Sequence, residues 1–296
     1  MRKKARLLRH VLILIFTGLL ALLFAVPIIV TITNSFMSAF EIQNRYHMNI
    51  LPANSFYRLT VLPQVHFVRM TIIPAWVTLQ QYANLLRDVG YITALWNSLI
   101  ITVPTVVGQV VISAPAAYAF EFSKWHHKEK LFFVYIVVML MPLPVVLVPQ
   151  FVMAHNLGIS ESVLAVILPA VFAPFGVFLL RQFMKTLPVE FIEAAKMDGA
   201  GQIRIMVSIV APLLKPAISA LALLVFIDYW NVVEQAIVFI TDTNRLPLSV
   251  YITGRQISGN YSILFAASTF FMLPTLLVFL HGQEHLVEGM RMSGLK

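Results

Sequence analysis

Cysteine is absent from the 296 residues, and charged residues are scarce. Without Cys, the chain can form neither disulfides nor thiolate metal sites. Asp, Glu, Lys and Arg make up 11% of the sequence, whereas soluble domains hold about 25%, and 59% of the residues are hydrophobic. A soluble helical domain would need polar faces that this composition does not supply. The composition predicts an all-α membrane protein that crosses the bilayer several times.

The sequence also lacks a phosphate-binding motif of the form GxxxxGK[ST]. This chain therefore cannot cradle ATP phosphates itself, and any energy from ATP must come from a partner. His126 and His127 stand among three lysines, Lys124, Lys128 and Lys130, but no further metal ligands lie nearby in the sequence. We interpret this segment as a short charged turn. No cofactor, metal or catalytic residue is expected in this chain.

Long charge-free apolar windows are abundant. A charged side chain at the centre of a bilayer costs roughly 2.5–3.5 kcal/mol on insertion scales, so apolar windows of about 18 residues or more predict transmembrane helices. Six windows meet this description, at about 11–33, 91–119, 131–155, 162–181, 206–229 and 261–281. The first is longer than the apolar region of a signal peptide and is interpreted as an uncleaved helix. Because Lys215 lies inside the fifth window, we expect the bilayer to begin near Pro216, with 206–215 partly interfacial.

The distribution of Lys and Arg predicts the orientation. With the N-terminus inside, 15 of the 21 Lys and Arg residues lie in cytoplasmic segments, so both termini are expected in the cytoplasm. The same asymmetry explains much of the net charge of +8 without nucleic acid as a partner. The predicted organisation is 1–34 as the N-terminus and first helix, 35–90 as an extracytoplasmic loop, and 91–296 as a five-helix core with a cytoplasmic loop at about 182–212 and a C-terminal tail.

A charged segment, EFIEAAKMDGAGQIRIMVSIVAPLLKP (190–216), interrupts the apolar sequence. Two apolar stripes with helical spacing predict two short helices. The first stripe consists of Pro188, Phe191, Ile192 and Ala195, and the second of Ile203, Met206, Val207 and Val210. Between them, Asp198-Gly199-Ala200-Gly201 predicts a helix stop, with Gly199 in the left-handed conformation that follows a helix end.

Periodicity alone leaves two interpretations of this segment open. Ala194 and Ala195 are small enough for another protein to approach closely, and Glu193 offers a carboxylate to an arginine, which favours a docking site for a soluble partner. The alternative is an amphipathic linker that lies on the lipid surface.

The residue order EAAKMDGAG followed by IVAPLLKP resembles the EAA signature of the permease subunits of ATP-binding-cassette importers. The resemblance implies a type I ABC importer permease fold with six transmembrane helices. It also implies that the loop inserts into a cleft on an ATPase subunit. The implied coupling residues are Glu193, Ala194, Ala195, Asp198, Gly199 and Gly201.

Further segments are similar to the carbohydrate-uptake branch, in particular the smaller membrane subunit of maltose-type importers. They are Trp96-Asn97-Ser98-Leu99, Ala116 to Phe120, Trp230-Asn231, Leu246-Pro247-Leu248 and the C-terminal Val287 to Lys296. The resemblance covers roughly 75–296 with gaps, and 35–74 match nothing recognised. It implies a subunit that forms half of the pathway for a sugar or oligosaccharide in the bacterial cytoplasmic membrane. The implied partners are a second homologous permease, two ATPase subunits that bind ATP and Mg, and an extracytoplasmic sugar-binding protein.

Two groups of outer-face residues are candidates for contacts with substrate or binding protein. The pathway or outer-face candidates are Asp228, Tyr229, Trp230, Asn231 and Glu234, because aromatic and amide side chains suit sugars and acids within membrane spans are often functional. The binding-protein candidates are Asn244, Arg245 and Tyr251, in the loop 241–258 that also carries Thr243 and Arg255. The bland alternatives are a solvated carboxylate at the bilayer edge and a plain aqueous connector.

The sequence departs from the family pattern in two places. An aromatic-rich stretch with a proline is replaced by VVEQAIVFI after Trp230-Asn231, and the usual Thr before Leu-Pro is replaced by Arg245. Both departures bear on the identity of the substrate and of the binding protein. In maltose-type importers the larger subunit holds the sugar, which implies little direct contact here.

Two other function classes fit the sequence less well than an importer subunit. A secondary transporter would need ionisable groups inside the spans and inverted repeats, and a membrane enzyme would need clustered His, Asp or Ser at the bilayer surface. The spans are nearly free of charge, and no such cluster is found in the sequence. Both observations favour the importer subunit.

Overall fold

The computed structural model describes residues 2–46, 73–254 and 261–293, which contain helices and no β-strand. The α-helices are α1 (Arg2–Ser35), α2 (Ala39–Tyr46), α3 (Gln80–Arg87), α4 (Val89–Phe122), α5 (Lys128–Met139), α6 (Leu143–Asn156), α7 (Leu164–Val171), α8 (Pro174–Met184), α9 (Glu190–Met197), α10 (Gln202–Ile205), α11 (Ala211–Leu213), α12 (Lys215–Trp230), α13 (Glu234–Phe239), α14 (Leu248–Thr253) and α15 (Tyr261–Ser293). A π-helical turn spans Met206–Val210, and a 3₁₀ turn spans Thr243–Arg245.

Helices long and apolar enough to cross a membrane account for the predicted windows. Within the described ranges there are four such segments, namely His10–Ser35, Val89–Phe122, Leu164–Met184 and Ile263–Gln283. Two more spans result if each of two bent helix pairs is counted as one, which are α5 with α6 and α10–α11 with α12. These six segments coincide in position with the six windows predicted from the sequence.

The third predicted window, 131–155, is not a straight helix. Its two halves, α5 and α6, are bent by 105° at a break around Met141. Pro142 has an extended backbone (φ −63°, ψ 141°), and Pro144 lies in the first turn of α6. Two prolines this close remove backbone donors and restrict the residues before them, so the chain leaves the helical conformation here.

The fifth window is also bent, at Leu214. The segment that ends with α11 and the helix α12 meet at 77°, and Pro216 lies in the first turn of α12. The exposed Lys215 begins the new helix. The straight helix of this span therefore begins next to Pro216, and the start of the bilayer near this residue, with 206–215 partly interfacial, stays a prediction.

The chain divides into two compact units, of which the first comprises residues 1–89 and 254–272. Most of α1 is exposed within the chain, as a helix surrounded by lipid would be; Leu14 is 70% and Phe24 73% exposed. Tyr82 of α3 contacts residues at the end of α1 and in α15. Its hydroxyl is hydrogen-bonded to the Ser35 hydroxyl, and its ring centre lies 5.4 Å from the ring centres of Phe36 and Phe270.

The second unit comprises residues 90–253 and 273–296. Its core is apolar, and α8 packs against both α5 and α12. Helix α8 also lies unusually close to α4. A Cβ added at Gly176 would lie 2.3 Å from the Ser113 hydroxyl oxygen, so a residue with a side chain would force these helices apart. This unit carries the loop and the cavity described next.

Candidate functional site

The predicted helix stop in the 190–216 segment forms as expected. Helix α9 ends at Met197, and Gly199 follows with a left-handed φ of +76°. The amide of Ala200 donates to the Ala195 carbonyl (3.0 Å) and that of Gly199 to the Lys196 carbonyl (3.1 Å), which are the two hydrogen bonds of a Schellman motif. The prediction for Gly199 is confirmed, and the reason for glycine is conformational, since no atom lies within 4 Å of a Cβ placed there.

Gly201, which lies in the same turn between α9 and α10, has a different structural role. It precedes α10 with φ −69°, a conformation open to any residue, and a Cβ there would also meet no atom within 4 Å. No residue that the structure describes therefore requires glycine at position 201.

Helix α9 is anchored along one side and exposed along the other. Ile192 and Ala195 are buried in the core of the second unit, with 2% and 8% of their surfaces exposed. Phe191 is 55% exposed, so the apolar stripe that predicts this helix does not coincide with its buried side. Its spacing fits the stripe, but Ile192 takes the inward position. Glu193 and Ala194 are exposed, whereas the proposed coupling residue Ala195 faces the core.

The second apolar stripe likewise does not coincide with the buried side of its helical segment. Val210 is buried, but Ile203 is 78% and Val207 57% exposed, while Ile205, outside the predicted stripe, is fully buried. The cause is the π-helical turn at Met206–Val210, whose hydrogen bonds join residues five apart and bring positions 205 and 210 to the same side. A regular α-helical period misses this shift.

The exposed residues of this loop are apolar and acidic. Phe191, Met197, Ile203 and Val207 are each more than half exposed. The Glu193 and Asp198 carboxylates are exposed as well and form no ion pair among the described residues. Apolar side chains beside unpaired acids suit a surface that another molecule covers.

A buried arginine, which the sequence patterns do not indicate, is bonded to acidic residues of α4 and α5. Arg181, near the end of α8, has 2% of its side chain exposed. Its Nε donates to Glu121 (3.1 Å), another guanidinium nitrogen donates to Glu129, and its guanidinium carbon lies 4.0 Å from the centre of the Phe132 ring. We call these four residues the Arg181 cluster. In the sequence, Arg181 counts only toward the excess of Lys and Arg on the cytoplasmic side. A single Arg after an apolar window does not indicate partners that are distant in the chain.

The turn after α4 is held by two further contacts. The Lys128 ammonium donates to the backbone carbonyls of Glu121 (2.7 Å) and Ser123 (3.0 Å), which caps the end of α4. The Tyr118 hydroxyl donates to the Gln202 side chain (2.8 Å) and so ties α4 to the start of α10. The lysines beside His126 and His127 thus include a helix cap, and no group of three metal-ligating side chains is present in the described ranges.

A cavity of about 310 Å³ lies elsewhere in the second unit. Its walls come from α4, from the segment that leads into α8, and from α12, and they include Gln109, Ala173, Phe175, Leu224, Asp228 and Tyr229. Two of the five pathway candidates, Asp228 and Tyr229, therefore share this cavity. Gln109, a neutral residue inside an apolar window, was missed because hydropathy does not single it out.

The other three pathway candidates lie outside this cavity. Trp230 is almost fully buried and stacks on Phe226 at 5.5 Å between ring centres. The Asn231 amide donates to the Ile227 carbonyl (2.7 Å) at the end of α12, and Glu234 is exposed in the first turn of α13.

The loop with the binding-protein candidates is fastened to α4. The Asn97 amide donates to the carbonyls of Asn244 (2.7 Å) and Leu246 (3.1 Å), and the Ser98 hydroxyl accepts from the Leu248 amide (2.8 Å). Two sequence segments that resemble the carbohydrate-uptake branch thus hold each other in place.

The three candidates differ in accessibility. Arg245 is 59% exposed and pairs with Asp242 at 3.4 Å, and Asn244 is exposed. Tyr251 is 8% exposed and packs edge-on against Tyr91. Arg255 lies outside the described residues.

Comparisons with known proteins place these features in a family. Residues 109–292, more than half of the chain, match the family described as binding-protein-dependent transport system inner membrane component. The osmoprotective compounds uptake permease protein GgtD of Synechocystis is 31% identical over 223 residues, covering 74% of this chain and 75% of that protein. The arabinooligosaccharides transport system permease protein AraQ of Halalkalibacterium halodurans is 28% identical over 223 residues, covering 74% and 80%.

A solved structure has the same fold. It is the crystal structure of a bacterial ABC transporter involved in the import of the acidic polysaccharide alginate, with a TM-score of 0.75, 22% identity, and coverage of 93% of this chain and 95% of that chain. The chain therefore has the fold of an ABC importer permease, and it belongs to the inner membrane components of binding-protein-dependent transport systems.

Proposed function

We propose that this chain is a transmembrane subunit of an ATP-driven importer for a sugar or oligosaccharide, and that it forms half of the translocation pathway. Family membership supports the importer assignment. The sugar is supported by relatives named for arabinooligosaccharides, alpha-glucosides and lactose. The complete complex would add a second homologous permease, two ATPase subunits that bind ATP and Mg, and an extracytoplasmic binding protein.

In this proposal both termini and the loop at about 182–212 face the cytoplasm, and the 35–90 segment is extracytoplasmic. The excess of Lys and Arg on one side supports this orientation. Asn244 and Arg245 then lie on the outer face, where exposed polar side chains suit contact with the binding protein. Tyr251, which packs against Tyr91, would position this loop rather than contact the partner.

The loop at 190–216 would couple the subunit to the ATPase. The observation that carries this proposal is its two-sided construction: Ile192, Ala195 and Ile205 anchor it to the core, while Glu193 and Ala194 stay exposed. The proposed coupling set is Glu193, Ala194, Ala195, Asp198, Gly199 and Gly201. Within it, Ala195 and Gly199 maintain the shape of the loop, and the exposed members offer a surface to the ATPase.

The anchoring explains how movement could pass into the membrane. A loop fastened by packed side chains moves as a unit with its supports, because packed elements switch between discrete arrangements rather than bend. Closure of the ATPase dimer would pull α9 and, through the shared core, the neighbouring helices. The pathway would then open without any ATP site in this chain.

Reversal of one exposed charge tests this proposal. We expect Glu193→Lys to lower sugar uptake about tenfold or more, because a buried interfacial ion pair would become a repulsion. The assembled complex should be expressed with its binding protein in proteoliposomes, and uptake, ATPase recovery after affinity purification and membrane insertion should be measured. Glu190→Lys is the matched control, since Glu190 is an exposed acid of the same helix outside the signature.

Normal membrane insertion with a loss of both uptake and ATPase recovery in the Glu193 variant alone would support coupling. Equal uptake by the wild type, Glu193→Lys and Glu190→Lys would contradict it, and so would equal losses in the two variants. The second result would mean that added positive charge anywhere on the exposed side of this helix disturbs it, without a specific role for Glu193.

A further inference from the structure

Helices α4, α12 and α15 line a second cavity in the second unit, with a volume of about 590 Å³. We call it the α12–α15 cavity. Leu224 and Asp228 line the cavity described above, whereas Ala222 and Phe226 line this one. Helix positions two residues apart point about 200° apart, so the two cavities lie on opposite sides of α12. A ligand in the α12–α15 cavity is therefore separated from the first cavity by the body of this helix.

Two basic side chains line the α12–α15 cavity. Lys215 is the first residue of α12, and His281 lies near the end of the span Ile263–Gln283. Both are exposed, and neither side chain forms an ion pair or a hydrogen bond with another described residue. An ammonium group and an imidazole N–H are donors for phosphate and ester oxygens. The cavity therefore offers donors to an anionic ligand.

The rest of the cavity is largely apolar and runs along α12. Apart from Ser219, the other residues that line it have no polar side chain. Phe226 lies eleven residues after Lys215, which is roughly 16 Å along the helix at 1.5 Å per residue. One leaflet contributes about 15 Å to a hydrocarbon core of about 30 Å. The cavity therefore extends over the depth of a single leaflet.

Gly282 brings α15 against α12, since a Cβ at this position would lie 2.3 Å from the Leu223 side chain. Leu223 lies eight residues after Lys215, or roughly 12 Å along the helix. His281, which precedes Gly282, is thus further from the start of α12 than Lys215 is. Leu277 lines the cavity one turn before His281 and is 65% exposed, so the cavity is open along α15. A cleft that is open between two spans is accessible from the lipid.

We propose that the α12–α15 cavity binds an anionic phospholipid of the cytoplasmic leaflet. Lys215 pairs with the lipid phosphate, His281 donates to the glycerol-ester oxygens that lie deeper, and one acyl chain lies along Ala222 and Phe226. Basic pockets between transmembrane helices on the cytoplasmic side suit such lipids, because that leaflet is negatively charged. A free phosphate would leave the apolar depth unfilled. A helix of a partner subunit over the same length would occupy roughly 1,200 Å³, about twice the cavity volume.

The inference goes beyond the proposed function and rests on one part of it, the orientation that places Lys215 on the cytoplasmic side. Two substitutions separate the two donors. Lys215→Gln removes the charge, and His281→Phe removes the deeper donor and keeps a flat ring. Lys124→Gln is the matched control, because Lys124 is an exposed lysine on the same side in the proposed orientation and does not line the cavity.

The test is a lipid titration of the purified complete complex, followed by native mass spectrometry. The probes are dioleoyl-phosphatidylglycerol, dioleoyl-phosphatidylcholine with the same chains but no net charge, and sn-glycerol-3-phosphate without chains. We expect Lys215→Gln to weaken phosphatidylglycerol binding about fivefold and to leave phosphatidylcholine unchanged, because one basic residue contributes about this factor toward an anionic lipid. His281→Phe should weaken both lipids, and Lys124→Gln neither. Melting temperatures of the complexes are measured in parallel.

Equal weakening in Lys215→Gln and Lys124→Gln would contradict the site, since any lysine on that side would then act alike. Unchanged affinity in both cavity variants would overturn it, and so would sn-glycerol-3-phosphate binding as tightly as phosphatidylglycerol. Replacing the exposed Leu277 with the photo-crosslinker p-benzoylphenylalanine identifies the occupant. A phospholipid adduct is expected, and capture of another subunit in its place would refute the lipid site.

The proposed function fails in a different way. The chain has no cysteine, so Lys215→Cys introduces a single thiol that a membrane-impermeant maleimide can label from one side. Labelling from the cytoplasmic side is expected, and labelling only from outside would overturn the proposed orientation together with the lipid site. Loss of the lipid site alone, in a complex whose ATPase is still stimulated by its loaded binding protein, would leave the proposed function standing.

Discussion

Two charged side chains of the second unit, Arg181 on α8 and Asp228 on α12, have opposite surroundings. Arg181 is buried, and it is bonded to Glu121 and Glu129 and stacked on Phe132. Asp228 is exposed at the mouth of a cavity and has no ion-pair partner in the described ranges. Two nitrogens of the Arg181 guanidinium are bonded to carboxylates, and only its second terminal nitrogen lacks a hydrogen-bond partner in the described ranges, whereas no bond to the Asp228 carboxylate is found there.

This difference separates support from function. Removing one member of a satisfied buried group leaves its partners without compensation, so the chain itself loses stability. Removing a group that awaits an external partner costs the isolated subunit little and costs the assembled importer its contact. A substitution at Arg181 should therefore mainly lower the free energy of unfolding, whereas a substitution at Asp228 should mainly lower transport. Measuring both quantities for both substitutions tests the comparison.

The largest expected effect is at Arg181. We expect Arg181→Met to lower the free energy of unfolding by roughly 3 kcal/mol, because it removes two charge-assisted hydrogen bonds and leaves the partly buried Glu121 unpaired. The estimate is at the low end for buried pairs because Glu129 is 64% exposed. The measurement is thermal or denaturant unfolding of the detergent-purified complex.

Arg245→Met is the control for this experiment. Arg245 also pairs with a carboxylate, but both side chains are about half exposed, and such surface pairs contribute at most about 1 kcal/mol. A loss at Arg181 no larger than at Arg245 would show that the Arg181 cluster does not support the fold, and the contrast with Asp228 would disappear.

A smaller effect is expected at the turn of the proposed coupling loop, where Gly199 and Gly201 are two residues apart. Gly199→Ala forces a side chain into the left-handed region and should cost about 1 kcal/mol, whereas Gly201→Ala should cost almost nothing in this chain. Unfolding of the complex and proteolysis at the loop provide the readouts. If uptake falls in Gly201→Ala while stability holds, position 201 resembles Asp228 in serving a partner. Equal destabilisation by both substitutions would contradict the assignment.

Local signals in the sequence predicted a large part of this arrangement. Hydropathy placed the six spans because the cost of charge in lipid acts on each window separately. Gly199 was predictable because a helix end needs a left-handed residue regardless of what surrounds it. The bend in the third span was not predictable, because a proline alone does not determine whether a helix breaks. Helix α4 contains Pro104 and Pro115 and remains one helix, whereas the chain breaks at Pro142.

The contacts that build the candidate sites depend on distant residues. Arg181 meets Glu121 and Glu129 across a separation of 60 and 52 residues. Gln109 lies in a different span from Asp228, and its uncharged amide leaves the apolar window intact. Neither meeting follows from spacing, because both arise only when helices pack. The exposed position of Phe191 follows likewise from the competition with Ile192 for the core.

The smallest expected effect on stability is at Gln109, which lines the same cavity as Asp228, and here the substitution should not lower the free energy of unfolding. Gln109→Leu replaces an amide whose oxygen has no described partner with an aliphatic side chain, so the free energy of unfolding should stay the same or rise by about 1 kcal/mol. Melting temperatures of the sugar-free complex give the measurement, with Gln202→Leu as the comparison, since the Gln202 side chain accepts a hydrogen bond from Tyr118. Functional sites commonly keep such locally unfavourable groups because a binding partner satisfies them. A clear loss of stability in Gln109→Leu would mean that the amide is already bonded within the assembled protein, and the cavity would then belong with Arg181 as part of the support.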